Sequence, residues 1–476
     1  MLSATLRAET NGEPWQPERG PFPLIDRSIG FISALFSGGD SRIAIDPHTG
    51  LNKYLCPTVP VPDLVCASSC TASPVSVQGF DRAADAFSNI VLSSPPRQRA
   101  DRLEAFSDQI EAQLLRYFGV RTLAQAFLCP SGTDALLTTT MLIAEERPGK
   151  AITAILPSAS ETGTGVPMAA VGHAFDGTDS GKPLCGCAGK TVEIPLRSAD
   201  GSPLSEDAVT DAFAAATAAA TGNIIVYLTH GTKTGLIAPV FPPDGADVIV
   251  DACQARIAPE TVAAYLKRGW PVVVTGSKFF GGPAFSGAVL FPRARLRANQ
   301  RRPLPSSAGL GTVLRWIATL PTIDAFEPIA TSLTEILSGR ITTIERAFAS
   351  NPMLLQVGGL HRSGSAGWAD LPSIFTFGVR DPTDHRRLLS PKELRPLYER
   401  LARKGVLLGQ PVSLGPFGGL RIAIGARELM DGNGDVGLAR IFTALDEATA
   451  PHRCAALATV RSQISPDPSR SFPCAQ

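Results

Sequence analysis

The chain has 476 residues, enough for two or three domains with separate cores. Its 44 Lys and Arg nearly cancel 43 Asp and Glu, giving a net charge of +1 without a long basic block, so neither nucleic acid nor an anionic membrane surface is expected as a partner. No run approaches the roughly 20 apolar residues of a membrane span, the N-terminus lacks a secretory pattern, and an odd number of cysteines is unlike a secreted disulfide framework; a cytoplasmic enzyme or binding protein with reduced thiols is expected.

Residues 1–79 are rich in Pro, Gly and short polar stretches, as in "DPHTGLNKYLCPTVPVPDL", and read as an extended N-terminal arm. Cys66 and Cys70 in "CASSC" and Cys185 and Cys187 in "CGC" form two local pairs. No histidine flanks either pair and the second spacing is tight for a chelating turn, so no metal site is expected.

From residue 80 the pattern changes. The helically spaced "DRAADAFSNIVLSS" and "ADRLEAFSDQIEAQLLRYFG" precede the short β-branched runs "AITAIL", "NIIVYL", "DVIVDA" and "PVVVTG". Strands separated by helices imply parallel pairing through crossovers, which predicts an α/β domain over 80–305 with a mostly parallel sheet and helices on both faces. Residues 306–349 read as connecting helices broken by Pro321 and Pro328. The segment 350–450, with "SIFTFGV", "PKELRPLYERLARKG" and "LRIAIGA", reads as a smaller α+β domain, and 451–476 as a polar tail.

Three features could carry chemistry. In "FLCPSGTDALL" a turn runs into a helix, so the free backbone donors of Ser131, Gly132 and Thr133 favour a phosphate, or Ser131 or Thr133 simply caps the helix. Asp251 ends the buried strand of "DVIVDACQA", where it either faces a cation or caps a turn, and Gln254 follows three residues later. Lys278 stands where "PVVVTG" gives way to a glycine-rich turn, one strand-helix-strand unit after Asp251. Carboxyl ends of parallel strands share one edge, so the three converge. A ligand with a phosphate, a basic ring nitrogen and a group that bonds a lysine amine answers to pyridoxal 5'-phosphate.

On "PSGTDA", "DACQA" and "GSKFFGGPAFSGAVLF" the chain resembles the large domain of fold-type I pyridoxal-phosphate enzymes, and within them the class V aminotransferase and cysteine desulfurase group. The resemblance makes Lys278 the catalytic Schiff-base lysine, Asp251 the partner of the pyridinium and Gln254 that of the ring hydroxyl. It places the phosphate on Ser131, Gly132, Thr133 and Ser277. Gly311 and Thr312 in "GLGTVLRW" would reach the phosphate of a neighbouring subunit, which implies a homodimer. Arg421 in "GGLRIAIGA" would grip a substrate carboxylate, although the strand alternation alone also fits a solvent-facing arginine.

Departures from the family pattern bear on the reaction. No histidine or aromatic residue follows "AITAIL" to stack on the ring; Ser160, Glu161 and Thr162 stand there, and His173 further on reads as structural. Thr232 takes the place of an asparagine in "LTHGTKTGLIAP", with His230 beside it. No cysteine lies between Cys253 and Cys454, which disfavours a desulfurase. A dinucleotide site at Gly163, Gly165 and Ala169 lacks the tight strand-to-helix turn. The expected function is a pyridoxal-phosphate enzyme acting at the α-carbon of an amino acid or related amine, first a class V-type aminotransferase. A lyase is the alternative, by elimination, C–S cleavage or decarboxylation, with a non-catalytic protein of the same fold a distant third.

Overall fold

In the computed structural model, residues 24–175, 183–184, 189–237, 243–296, 309–357 and 367–450 are described. The strands in chain order are β1 (Val65–Ala67), β2 (Ala124–Cys129), β3 (Ile152–Pro157), β4 (Gly189–Ile194), β5 (Asn223–Thr229), β6 (Asp247–Ala252), β7 (Val272–Thr275), β8 (Gly287–Pro292), β9 (Leu354–Gln356), β10 (Ile374–Val379), β11 (Val406–Ser413) and β12 (Gly418–Ala423).

Seven of them form one sheet in the order β2-β8-β7-β6-β5-β3-β4. Strands β5, β6 and β7 are runs of Ile and Val because helices cover both of their faces, leaving no polar side to alternate with. Neighbours from β4 through β7 pair in parallel, whereas β8 is antiparallel to both β7 and β2. The mostly parallel sheet expected from the sequence is therefore present. Its exception has a local cause: no helix lies between Thr275 and Gly287, so the chain turns back without a crossover.

A second sheet has the order β1-β11-β12-β10-β9. Its pairs are antiparallel except β1 with β11, where Val65, Cys66 and Ala67 align with Val406, Leu407 and Leu408. This revises the reading of 1–79 as an arm outside the core. Its β1 is a strand of the smaller sheet, and Phe31, Leu35, Ile43 and Val75 are buried in the main core. Local composition did not show this, because the partners lie hundreds of residues away.

The connecting segment also differs from expectation at one proline. Pro321 lies inside the continuous helix Leu310–Phe326, and the helix gives way only at the 3-10 turn Glu327–Ser332, where Pro328 occupies an early position. Arg315 of this helix is fully buried and donates to the carbonyls of Phe285 (2.6 Å), Leu35 (2.8 Å) and Ser37 (2.6 Å), tying the N-terminal helix to the loop before β8. Burial pulls its proton affinity down. Replacing Arg315 with methionine strands the buried carbonyls of Phe285 and Leu35, each worth about 1–3 kcal/mol, and frees the part-buried one of Ser37. Urea unfolding of R315M is expected to show a loss of about 3 kcal/mol or more; a loss below about 1 kcal/mol would mean that the tie adds little.

Candidate active site

The carboxyl ends of β2, β5, β6 and β7 meet at one edge of the larger sheet, beside a cavity of about 350 Å³. Ser131, Gly132 and Thr133 line it from the turn after β2; Asp251 and Gln254 from β6 and its exit; Ser277 and Lys278 from the exit of β7; and Arg421 from the smaller sheet.

At one end the helix Gly132–Glu146 begins. Ser131 is its N-cap: its Oγ accepts the Asp134 N–H (3.1 Å) and donates to the Asp134 carboxylate (2.7 Å). The backbone N–H groups of Gly132 and Thr133 have no acceptor among the described residues, as expected of first-turn donors. A Cβ on Gly132 would lie 2.7 Å from Cys253 Sγ, so only glycine lets the helix start this close to β6. Both predictions for Ser131, cap and cradle member, are thus compatible with its position: the side chain caps while the amides that follow stay open.

Asp251 is buried, and its Oδ1 accepts the Cys253 N–H (3.0 Å), which fixes the carboxylate in the cavity wall. The Cys253 thiol is pushed well up by burial, with Asp251 adding to the effect. The Lys278 amine makes no hydrogen bond to a described residue, while its carbonyl accepts the Gly281 N–H (2.9 Å). Burial lowers its proton affinity and Arg421 lowers it further, opposed by Cys253, Asp251 and Cys70. The amine is therefore uncharged over a wider pH range than that of a free lysine.

Other assignments change on inspection of the contacts. Gln254 lines the cavity, but its amide already serves the N-terminal segment and the loop after β6: Nε2 donates to the Cys70 carbonyl (3.1 Å) and Oε1 accepts from Arg256 (3.1 Å). Arg421 does not face solvent. It is 2% exposed and donates to the carbonyls of Lys233 (2.8 Å) and Gln410 (2.7 Å) and to Thr71 Oγ1 (2.9 Å), while its buried Nε has no partner among the described residues. Alternation misleads here because β12 lies between β11 and β10 and is buried on both faces.

Gly311 and Thr312, expected to reach a neighbouring subunit's phosphate, are not part of this chain's own cavity wall. A Cβ on Gly311 would sit 2.3 Å from the Ser37 carbonyl, and Thr312, 1% exposed, accepts from Arg315 through its hydroxyl (3.2 Å). The pair packs the helix Leu310–Phe326 under the N-terminal segment of the same chain.

The loop after β3 offers no ring to the cavity. Glu161 is held by Arg197 (2.6 Å) and by the Thr234 hydroxyl, whereas Thr162 lines the cavity with its Oγ1 buried and unpartnered among the described residues. His173 bridges to Pro183, and His230 packs behind the strand ends with its Nδ1 3.2 Å from the Tyr265 hydroxyl. Thr232 builds its own turn by accepting the N–H groups of Thr234 (3.3 Å) and Leu236 (3.0 Å). The aromatic rings in the lining are Tyr54 and Phe285. Phe285 has a φ of 71°, a region disfavoured for a bulky side chain, and is held there by Arg315 on its carbonyl and the Arg42 guanidinium 4.9 Å from its ring centre.

Several lining residues had no signal in the sequence. Arg42 and Tyr54 come from the proline-rich segment, and Cys70 and Cys253 bring two thiols to the wall although neither follows Lys278 in the chain. Lys233 stood beside the residues singled out in "HGTKTG", but a lysine in a polar turn resembles any solvated one. Cys185 and Cys187 lie outside the described residues; Cys66 contacts the Ser68 hydroxyl (3.3 Å). Among the described residues there is no cluster of three metal-ligating side chains, and no helix is long and apolar enough to cross a membrane.

No family model matches the chain, and no curated protein matches it. Solved structures do. The glutamate decarboxylase domain of a diaminobutyrate-pyruvate transaminase and L-2,4-diaminobutyrate decarboxylase from Vibrio parahaemolyticus superposes with a TM-score of 0.55 at 15% identity, over 89% of this chain and 95% of that one. A sphingosine-1-phosphate lyase from Burkholderia pseudomallei gives 0.51 at 14% identity, over 97% and 99%. The cysteine desulfurase CsdA from Escherichia coli gives 0.50 at 16% identity, over 81% and 94%. The chain has the fold that these proteins share, the fold-type I architecture of pyridoxal-phosphate enzymes.

Proposed function

We propose that the protein is a pyridoxal 5'-phosphate enzyme acting at the α-carbon of an amino acid or related amine, with transamination as its reaction. The observation that supports this best is the arrangement around Lys278: an amine of lowered proton affinity stands in one cavity with a fixed carboxylate and the open N-terminus of a helix. The donor set fits the cofactor. The unpartnered Gly132 and Thr133 amides suit a phosphate, with Ser277 beside them; Asp251 suits a protonated ring nitrogen; and Lys278 suits an aldehyde. When bound, the cofactor supplies that aldehyde and a ring that draws electrons from the substrate's α-carbon.

The residues supply the rest. Arg421 orients the substrate by its carboxylate through the guanidinium N–H that its bonds to Lys233, Gln410 and Thr71 leave open. Lys278, once its amine is released, takes and returns the proton at the α-carbon, and its lowered proton affinity brings it closer to the range a base needs at neutral pH. Asp251, fixed by the Cys253 N–H, would face the ring nitrogen. Desulfurase chemistry is not favoured even though thiols line the cavity, because burial holds Cys253 in its thiol form.

The test is a visible spectrum of the purified protein followed by borohydride reduction and peptide mapping. A cofactor band and one reduced adduct, on Lys278, are expected. An adduct on Lys233, the other lysine of low proton affinity in the same wall, would overturn the assignment, as would the absence of a band. A screen of amino acids then separates keto-acid formation from the ammonia or carbon dioxide that would mark a lyase.

A further inference from the structure

Lys233, on the turn after β5, lines the cavity together with Lys278 and Arg421; it feels both of them, and Lys278 feels Arg421. The carboxylates in the same wall do not balance them. Glu161 is committed to Arg197 (2.6 Å), and Asp251 is the remaining one. Arg42, also in the wall, is neutralised by Asp40 (2.9 Å), and Lys53 is exposed to solvent.

If the function proposed above holds, two of these charges and the helix N-terminus acquire partners from the cofactor: Asp251 faces the ring nitrogen, Lys278 bonds the aldehyde, and the phosphate sits on the helix N-terminus. Arg421 and Lys233 are then left on the substrate side without a counter-ion. They are held together, since Arg421 donates to the Lys233 carbonyl (2.8 Å). The Lys233 Nζ makes one hydrogen bond, to the Ala159 carbonyl (2.8 Å), and keeps two N–H bonds for a ligand. A single α-carboxylate would satisfy one of the two cations and leave the other desolvated, which is unfavourable.

We propose that the substrate is a dianionic amino acid, its α-carboxylate held by Arg421 and a second anionic group, at the end of its side chain, held by Lys233. Burial, and after it Arg421, pulls the Lys233 proton affinity down to about 8, with Glu161 acting in the opposite sense and Lys278 adding to the depression. A cation kept in such a place is relieved when an anion arrives. Lys233 is in this sense a specificity residue: it selects the side chain and takes no part in breaking bonds at the α-carbon.

The experiment is calorimetric titration of the purified protein, with and without added pyridoxal 5'-phosphate, using unreactive acids: succinate and glutarate against butyrate. Wild type is expected to bind the better dicarboxylate at least about tenfold more tightly than butyrate, the size of one charge-assisted hydrogen bond. K233M should abolish that ratio by bringing the dicarboxylate's affinity down to that of butyrate, and K233R should retain it. The dicarboxylate advantage should also fall as pH rises through about 8, where the ammonium of Lys233 loses its proton, and K233R should remove that fall. The groups facing Lys233 are Arg421 on β12, Lys278 after β7 and Glu161 with Arg197 beside β3, all unchanged in K233R. An equal ratio in wild type and K233M, or no dicarboxylate preference in wild type, would overturn the proposal. Failure of the protein to bind the cofactor would instead overturn the function proposed above, and the titrations of the cofactor-free protein would still decide whether Lys233 and Arg421 act as a pair.

Discussion

Replacing Lys278 with alanine is expected to reduce turnover by at least about 10³-fold, the upper part of the range for a group that serves as a base and more where it also bonds the cofactor. The variant should still bind pyridoxal 5'-phosphate through the Gly132 and Thr133 amides and Asp251, but borohydride should leave no cofactor on the denatured chain. Folding is not the concern. The Lys278 amine makes no hydrogen bond to a described residue, and its burial is unfavourable to the charged form, so K278A should unfold at the same or a higher urea concentration than wild type. The rate at which wild type captures the cofactor should rise with pH, because the neutral amine is the nucleophile, and should level off below the value of about 10.4 for a free lysine. A K278A protein that keeps a tenth of wild-type activity, or a wild-type capture rate that still climbs beyond that pH, would remove Lys278 from its role.

How far the sequence leads to this site depends on how local each signal is. The runs "AITAIL", "NIIVYL", "DVIVDA" and "PVVVTG" become β3, β5, β6 and β7 because strands buried on both faces are continuous apolar runs, visible without knowledge of their partners. Strand β4 is at the sheet edge and largely exposed, so "GKTVEI" carries no such run. Asp251 and Lys278 are legible for the same reason as their strands: a charge directly after a buried run is conspicuous. Arg42, Tyr54 and Thr71 are not. They reach the cavity through the fold of a proline-rich segment whose contacts, such as Arg421 to Thr71 across 350 positions, leave no local trace. For Gly311 and Thr312 the packing within the chain is what the sequence left unread. A Gly-Thr pair is permitted by many environments, and here the small residue is required by the Ser37 carbonyl.

Exchanging Asp251 for asparagine is the second substitution with a large expected effect, and it separates charge from shape. The amide oxygen of asparagine can still accept the Cys253 N–H, so the wall should stay intact. What is lost is the negative charge opposite the ring, and turnover should fall about 10²- to 10³-fold, the scale of removing one preorganised electrostatic contact. Capture of the cofactor should respond in the opposite direction. Asp251 raises the proton affinity of Lys278, so D251N should lower it further, enlarge the neutral fraction at neutral pH and move the rising limb of the capture profile to lower pH. A merely structural aspartate would give no such split, since a damaged wall slows both steps together. If D251N captures the cofactor with an unchanged pH profile, the two groups do not act on each other across the cavity. If its turnover stays within about threefold of wild type, well short of the effect of one such contact, the carboxylate is not the ring's counter-charge.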